Sequence, residues 1–148
     1  MIIYRQSTVH DPAYELEKKL RNRVLRLPLN VQLSAQDIQD EDQQIHLLAV
    51  DAPGAVIGCV LVAFSGERAK IRQMAVEPAY QRQGIGTELI QRAEQIIRER
   101  NVRQVTLHAR LSACTFYERL GYIKVSGVFN EVTIPHVEME KALGIMYG

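Results

Sequence analysis

The stretch Gln81-Arg82-Gln83-Gly84-Ile85-Gly86-Thr87 contains the residue types that bind an anion through the main chain. Gly84 and Gly86 carry no Cβ, so the backbone can take positive φ there and a ligand can approach it closely. A helical pattern begins at Gly84, and a helix leaves its first amide N–H groups unpaired, with a partial positive charge at that end. Together these features suit a phosphate group, with the Arg82 cation and the Thr87 hydroxyl beside it. On spacing alone a plain helix-initiating turn fits equally well. Two other phosphate sites fail by pattern. A P-loop requires GxxxxGK[ST], and no lysine follows either glycine. A dinucleotide fingerprint requires a small residue where Leu89 stands and an acidic residue about twenty positions on, where the chain reads QVTLHA.

The elements that must position this turn are legible from hydrophobic pattern. The chain has 148 residues, the size of one domain. With 47% hydrophobic and 24% charged residues it has an ordinary globular composition. A net charge of +1 gives no reason to expect a nucleic-acid partner. The two cysteines, Cys59 and Cys114, have no metal-ligand spacing. No secretory leader or membrane-spanning run is recognisable, so the default expectation is a reduced, cytoplasmic protein without metal. Asp11-Pro12 starts a helix that Pro28 is expected to stop. Three extended runs, IHLLAVD, AVIGCVLVAF and AKIRQMAV, are joined by short turns and read as an antiparallel meander. From Gly84 to Glu99, Ile85, Leu89, Ile90, Ala93, Ile96 and Ile97 form one apolar stripe of a helix. VRQVTLHA reads as a strand, and SACTFYERL as a short helix with Ser112 as N-cap and Gly121 as C′ residue. YIKVSG and HVEMEKAL read as closing strands. The order predicts a mixed α/β sheet, with the Gly84–Glu99 helix in a right-handed crossover.

On these elements QRQGIG fits the Q/R-x-x-G-x-G/A signature of the GNAT superfamily of N-acetyltransferases, after a strand ending MAVEP. Some 25 residues further on, ACTFYERLGY resembles the A-x-x-F-Y-E-x-x-G-F/Y segment of the same enzymes. The tail FNEVTIPHVEME, and more faintly LRNRVLRLPL with His46, are similar to the ElaA-like branch. The resemblance implies a single N-acetyltransferase domain over residues 1–148, with a mixed, mostly antiparallel central sheet flanked by about four helices. It implies acetyl-CoA as co-substrate and direct attack by a primary amine of a small molecule or an exposed side chain or terminus. An acetyl-CoA-binding module that has lost catalysis and serves as a sensor is the alternative.

By that resemblance Gln81, Arg82, Gln83, Gly84, Ile85, Gly86 and Thr87 hold the pyrophosphate. A backbone N–H among Met74, Ala75 and Val76 polarises the thioester carbonyl as negative charge develops on its oxygen. Tyr117 matches the tyrosine that contacts the cofactor and protonates the departing thiolate. As a bare residue beside Phe116 and Leu120, Tyr117 fits a core aromatic as well. Relatives commonly carry a glutamate as general base on the strand before the loop, where this chain reads KIRQM. Glu131 and His136 in the tail are the alternatives, with His46 a third and a relay through water a fourth. Arg110 stands where many relatives have asparagine, and no role is assigned to it. The acceptor side carries Arg21, Arg23 and Arg26 against Asp37, Asp40, Glu41 and Asp42, so charge alone favours neither a cationic nor an anionic acceptor. A homodimer through the closing strands would cover their edges.

Overall fold

In the computed structural model, which describes residues 1–144, the three central runs form the expected meander. Strand β2 (Ile45–Val50) pairs antiparallel with β3 (Val56–Ser65), and β3 with β4 (Arg68–Val76). The meander extends on one side to β1 (Ile3–Ser7). On the other side β4 lies parallel to β5 (Gln104–Arg110), and β5 is antiparallel to β8 (Ile134–Ala142). Beyond β8 lie two short strands, β6 (Ile123–Lys124) and β7 (Phe129–Glu131), completing an eight-stranded mixed sheet. Residues 145–148 of the expected domain lie outside the described residues. No helix among the described residues is long and apolar enough to cross a membrane.

Helix α2 (Ile85–Glu99) is the crossover between β4 and β5. Its stripe of Ile85, Leu89, Ile90, Ala93 and Ile97 is buried against Val60, Val62, Ile71 and Leu107 of the sheet. On the other face Ala13 and Leu20 of helix α1 (Ala13–Arg21) pack on Leu48, Cys59 and Ala75. Both sheet faces are thus covered, which explains why β3 reads as a continuous apolar run. Asp11 starts α1 by accepting a hydrogen bond from the Ala13 amide (2.8 Å).

Among the described residues there are three α-helices rather than about four, the third being α3 (Cys114–Arg119). Pro28 does not stop the first helix. The helical path continues through a π turn, Asn22–Arg26, and a 3₁₀ turn, Leu27–Leu29, that contains the proline; it ends at Asn30 in the left-handed region (φ 59°). Proline is tolerated there because early helical positions need no amide donor. Ser112 does not cap α3, because a 3₁₀ turn, Leu111–Ala113, already bonds the Cys114 amide to the Leu111 carbonyl. Gly121 does terminate α3, at φ 97°, with Tyr122 N–H donating to the Tyr117 carbonyl and Gly121 N–H to that of Glu118. Of the two closing strands, β8 is flanked on both sides and β6 forms an edge of the sheet.

Two backbone irregularities shape the centre of the sheet. Cys59 faces Ala75 and Leu61 faces Arg72, so Val60 alone opposes both Gln73 and Met74. That is a β-bulge, with Gln73 in the left-handed region (φ 56°). Parallel pairing of β4 with β5 stops just before the bulge, at Ile71 opposite Leu107. Beyond it the two strands part, and the Met74–Val76 main chain has no strand partner on its β5 side.

Candidate active site

The parting of β4 and β5 opens a cleft of about 720 Å³ on one side of Met74 and a cavity of about 170 Å³ on the other. Met74 lines both. The cleft is walled by Met74, Ala75 and Val76 of β4 and floored by the glycine loop. Gln81, Arg82, Gly84, Ile85, Gly86 and Thr87 all line it, whereas Gln83 turns aside and its side-chain amide donates to the Ala79 carbonyl. Gln81 also works structurally, donating to the Val76 carbonyl at the end of β4 (3.0 Å).

The loop takes its shape from Arg82 (φ 66°) and Gly84 (φ 81°), both in the left-handed region. The first intrahelical bond runs from the Glu88 N–H to the Gly84 carbonyl. The amides of Ile85, Gly86 and Thr87 therefore have no partner from a preceding turn. Gly86 allows a close approach: a Cβ there would lie 3.3 Å from Phe116 Cζ and 3.5 Å from Met74 Cε. Arg119, absent from the sequence reading, brings a second cation to the cleft beside Arg82. Its signal was available, since it lies within ACTFYERLGY.

The cavity gathers Tyr117, Glu131 and His136 from three separate elements. Tyr117 is nearly buried, packed edge-on to Phe116 and Tyr122, and burial pushes its phenol up to about 12. Its hydroxyl bonds to no other described residue, yet no fully buried side-chain oxygen or nitrogen lacks a partner, so the hydroxyl is the part that meets the cavity. His136 Nδ1 lies 2.9 Å from the Ile134 carbonyl. A carbonyl only accepts, so Nδ1 carries the proton and Nε2 of the neutral ring presents its lone pair. Nε2 lies 3.8 Å from Glu131 Oε2. The other Glu131 oxygen lies 2.9 Å from His108 Nδ1, and Phe129 packs against both imidazoles.

Glu131 reaches this position through a β7–β8 hairpin whose turn residues, Val132 (φ 49°) and Thr133 (φ 68°), are both left-handed. β-branched residues are uncommon in that region, and the strain falls beside a cavity that Val132 itself lines. His108, Arg72 and Arg110 also line the cavity. His108 could not be singled out from VRQVTLHA, because its relevance depends on the pairing of β5 with β8.

His46 lies elsewhere, in a buried network of charges. Its Nδ1 is 2.8 Å from Glu17 Oε1, and its Nε2 is 2.8 Å from the Glu41 carbonyl. Glu17 also receives a hydrogen bond from Arg21, which binds Glu41 with both terminal nitrogens. Arg72 adds a further bond to Glu41 (2.9 Å). The opposing charge runs pair with each other only in part: Glu41 takes Arg21 together with Arg72 from β4, Asp37 takes Arg26, and Arg23 pairs instead with Glu77. Arg21 also reaches Gln73 at the bulge (3.2 Å), linking the network to the strand that parts. Among the described residues no cluster of three or more His, Cys, Asp or Glu side chains is arranged to hold a metal ion.

The family described as "Acetyltransferase (GNAT) domain" matches residues 15–143. A Bacillus subtilis (strain 168) protein that carries an acetyltransferase designation is 29% identical over 129 residues, 87% of this chain and 86% of that one. Among solved structures, Escherichia coli ElaA superposes with a TM-score of 0.81 at 22% identity, covering 95% of this chain and 99% of that one. An aminoglycoside 6′-N-acetyltransferase complexed with coenzyme A superposes with a TM-score of 0.75 at 18% identity, covering 99% of both chains.

Proposed function

The chain belongs to the GNAT acetyltransferase family, whose chemistry is acetyl transfer from acetyl-CoA, and from that premise we propose that it N-acetylates a primary amine by direct attack in a ternary complex. One observation carries this reading: β4 parts from β5 at the bulge, and Met74 joins a cleft floored by the glycine loop to a cavity that holds Tyr117 and His136. The cleft suits coenzyme A, with the loop amides, Arg82 and Arg119 at the phosphates and the unpaired Met74–Val76 edge along the pantetheine arm.

In the proposed reaction the amine nitrogen attacks the thioester carbonyl carbon. A carbon–nitrogen bond forms, and the carbon–sulfur bond breaks after a tetrahedral intermediate whose oxyanion takes a backbone N–H of Met74–Val76. His136 Nε2 removes the amine proton, with Glu131 beside it to stabilise the resulting imidazolium. Tyr117 gives its phenolic proton to the leaving thiolate and is reprotonated from solvent, to which His136 returns the proton taken from the amine. A strand without the family glutamate would suit a non-catalytic sensor. Arg72 occupies that strand and pairs with Glu41, while Glu131 and His136 supply a carboxylate and an imidazole from the tail, which supports catalysis.

Thermal unfolding with acetyl-CoA, followed by an amine panel read as coenzyme A release, tests the proposal. Saturation at a hundredfold excess over Kd stabilises the native state by about 2.7 kcal/mol. Absence of any acetyl-CoA shift overturns it. Rate–pH profiles of His136→Ala and Glu131→Gln test the base: a moved or abolished acidic limb is expected, and an unchanged limb in both variants excludes them.

A further inference from the structure

The arginines of the acceptor cavity are not equivalent. Arg26 is held by Asp37 through Nε (3.2 Å) and Nη2 (3.1 Å). Arg72 is held by Glu41 (2.9 Å), Gln44 (2.7 Å) and the Asp37 carbonyl (2.7 Å). Arg110, half-buried at the end of β5, makes one hydrogen bond, from Nη2 to the Leu25 carbonyl (2.7 Å), and no ion pair with any described residue. A guanidinium has five N–H donors in a planar fork and stays charged. Because no side-chain nitrogen in the described structure is both fully buried and unpartnered, the remaining Arg110 donors keep access to solvent, and Arg110 lines the cavity. Burial, reinforced by the neighbouring Arg26 cation, lowers the Arg110 pKa, the mark of a cation that lacks its counter-ion.

Sheet register places this cation opposite the proposed base. Arg110 pairs directly with His136 across β5 and β8, so both side chains stand on one face, with Glu131 next to His136. The cavity thus has an uncompensated positive group and, across a strand pair, a carboxylate and an imidazole suited to an ammonium. We infer that the acetyl acceptor is a small amine that also bears a carboxylate, which Arg110 binds while its amino group faces His136 and Glu131. A phosphate monoester would bring nearly two negative charges, whereas Arg26 is held by Asp37 and Arg72 shares Glu41 with Arg21, so that among the described residues Arg110 is the cavity-lining arginine without an ion pair. This inference rests on the proposed acetyl transfer and names its substrate class.

The test pairs each amino acid with its carboxamide, adds phosphoethanolamine as the phosphate arm, and compares wild type with Arg110→Gln and Arg110→Lys. Wild type is expected to favour the carboxylate over the amide by roughly ten- to a hundredfold in kcat/KM, the range of a hydrogen-bonded charge pair. Arg110→Gln collapses that ratio toward one by raising KM for the carboxylate, and Arg110→Lys retains part of it. Equal use of acids and amides by wild type, preference for the phosphate arm, or a ratio that survives Arg110→Gln overturns the assignment. A second readout does not need turnover: the coenzyme A-loaded protein gains a thermal shift from the amino acid that its amide does not give and that Arg110→Gln loses. Lack of that difference equally refutes the carboxylate site. If acetyl-CoA itself gives no shift, it is the acetyl-transfer reading that has failed.

Discussion

Replacing Tyr117 with phenylalanine removes one oxygen and one proton from the site and little else. The ring stays packed edge-on against Phe116 and Tyr122, with centroids 5.0 and 5.9 Å away, and the lost hydroxyl bonds to no other described residue. Stability should therefore change by less than about 0.5 kcal/mol, because no buried partner is left unsatisfied. Acetyl-CoA affinity should stay within about twofold, since the loop and β4 edge are untouched. Turnover should fall roughly 10²- to 10⁴-fold, the usual contribution of a positioned general acid, or about 2.7–5.4 kcal/mol of barrier. The acid works only while protonated, and burial pushes its pKa up to about 12. The phenol is thus still protonated at about pH 10, where an unperturbed tyrosine would be half ionised. The assay is coenzyme A release from about pH 6 to pH 10, with melting temperature and acetyl-CoA affinity measured on the same preparations. Unchanged turnover would refute the acid role. So would a turnover loss matched by lost stability; a wild-type alkaline limb near pH 10 that vanishes in Tyr117→Phe would keep the acid role and refute the raised pKa instead.

Two further predictions concern the charge network behind the site. Glu41 is 1% exposed and accepts hydrogen bonds from Arg21, Arg72 and Tyr14; Glu41→Gln leaves the fully buried Arg21 and His46 to share the single carboxylate of Glu17 and should cost roughly 3–5 kcal/mol. A urea-unfolding loss below about 1 kcal/mol would show that the pairing is not what stabilises this region. Burial opposes charge on His46, but the Glu17 bond and charge and the Glu41 carbonyl outweigh it and raise the pKa. The folded protein then holds the His46 proton more tightly than the unfolded chain. The resulting stability is complete below about pH 6.5 and is lost as pH rises through the folded-state value. The stability gap between wild type and His46→Gln should shrink from about pH 6 to pH 9, and a constant gap contradicts the charged pairing.

Periodicity and backbone freedom are local properties, and what depends on them was legible in the sequence. The apolar stripe of α2, the β2–β3–β4 meander, the left-handed Gly84 and the Gly121 terminus are all set by residues within a few positions of one another. The glycine loop and Tyr117, which line the cleft and the cavity, stood out as candidates because two ordered motifs carried them. The bulge at Gln73 and the hairpin turn at Val132-Thr133 have no such marker. Neither contains glycine or asparagine, so the surrounding sheet holds them in the left-handed region against local preference. Charge runs are equally ambiguous in one dimension. Arg21 and Glu41, and Arg26 and Asp37, became partners only when α1 and the loop before β2 packed over the same sheet face, which turned two opposing surface charges into a buried network. Arg110 shows the division most clearly. Its charge is written in the chain, but only the β5–β8 register sets it opposite His136, and only the ion pairs of Arg26 and Arg72 leave it, among the described residues, as the cavity-lining arginine without one. Residue type determined which groups were available, whereas long-range strand pairing decided which of them meet and which remain free.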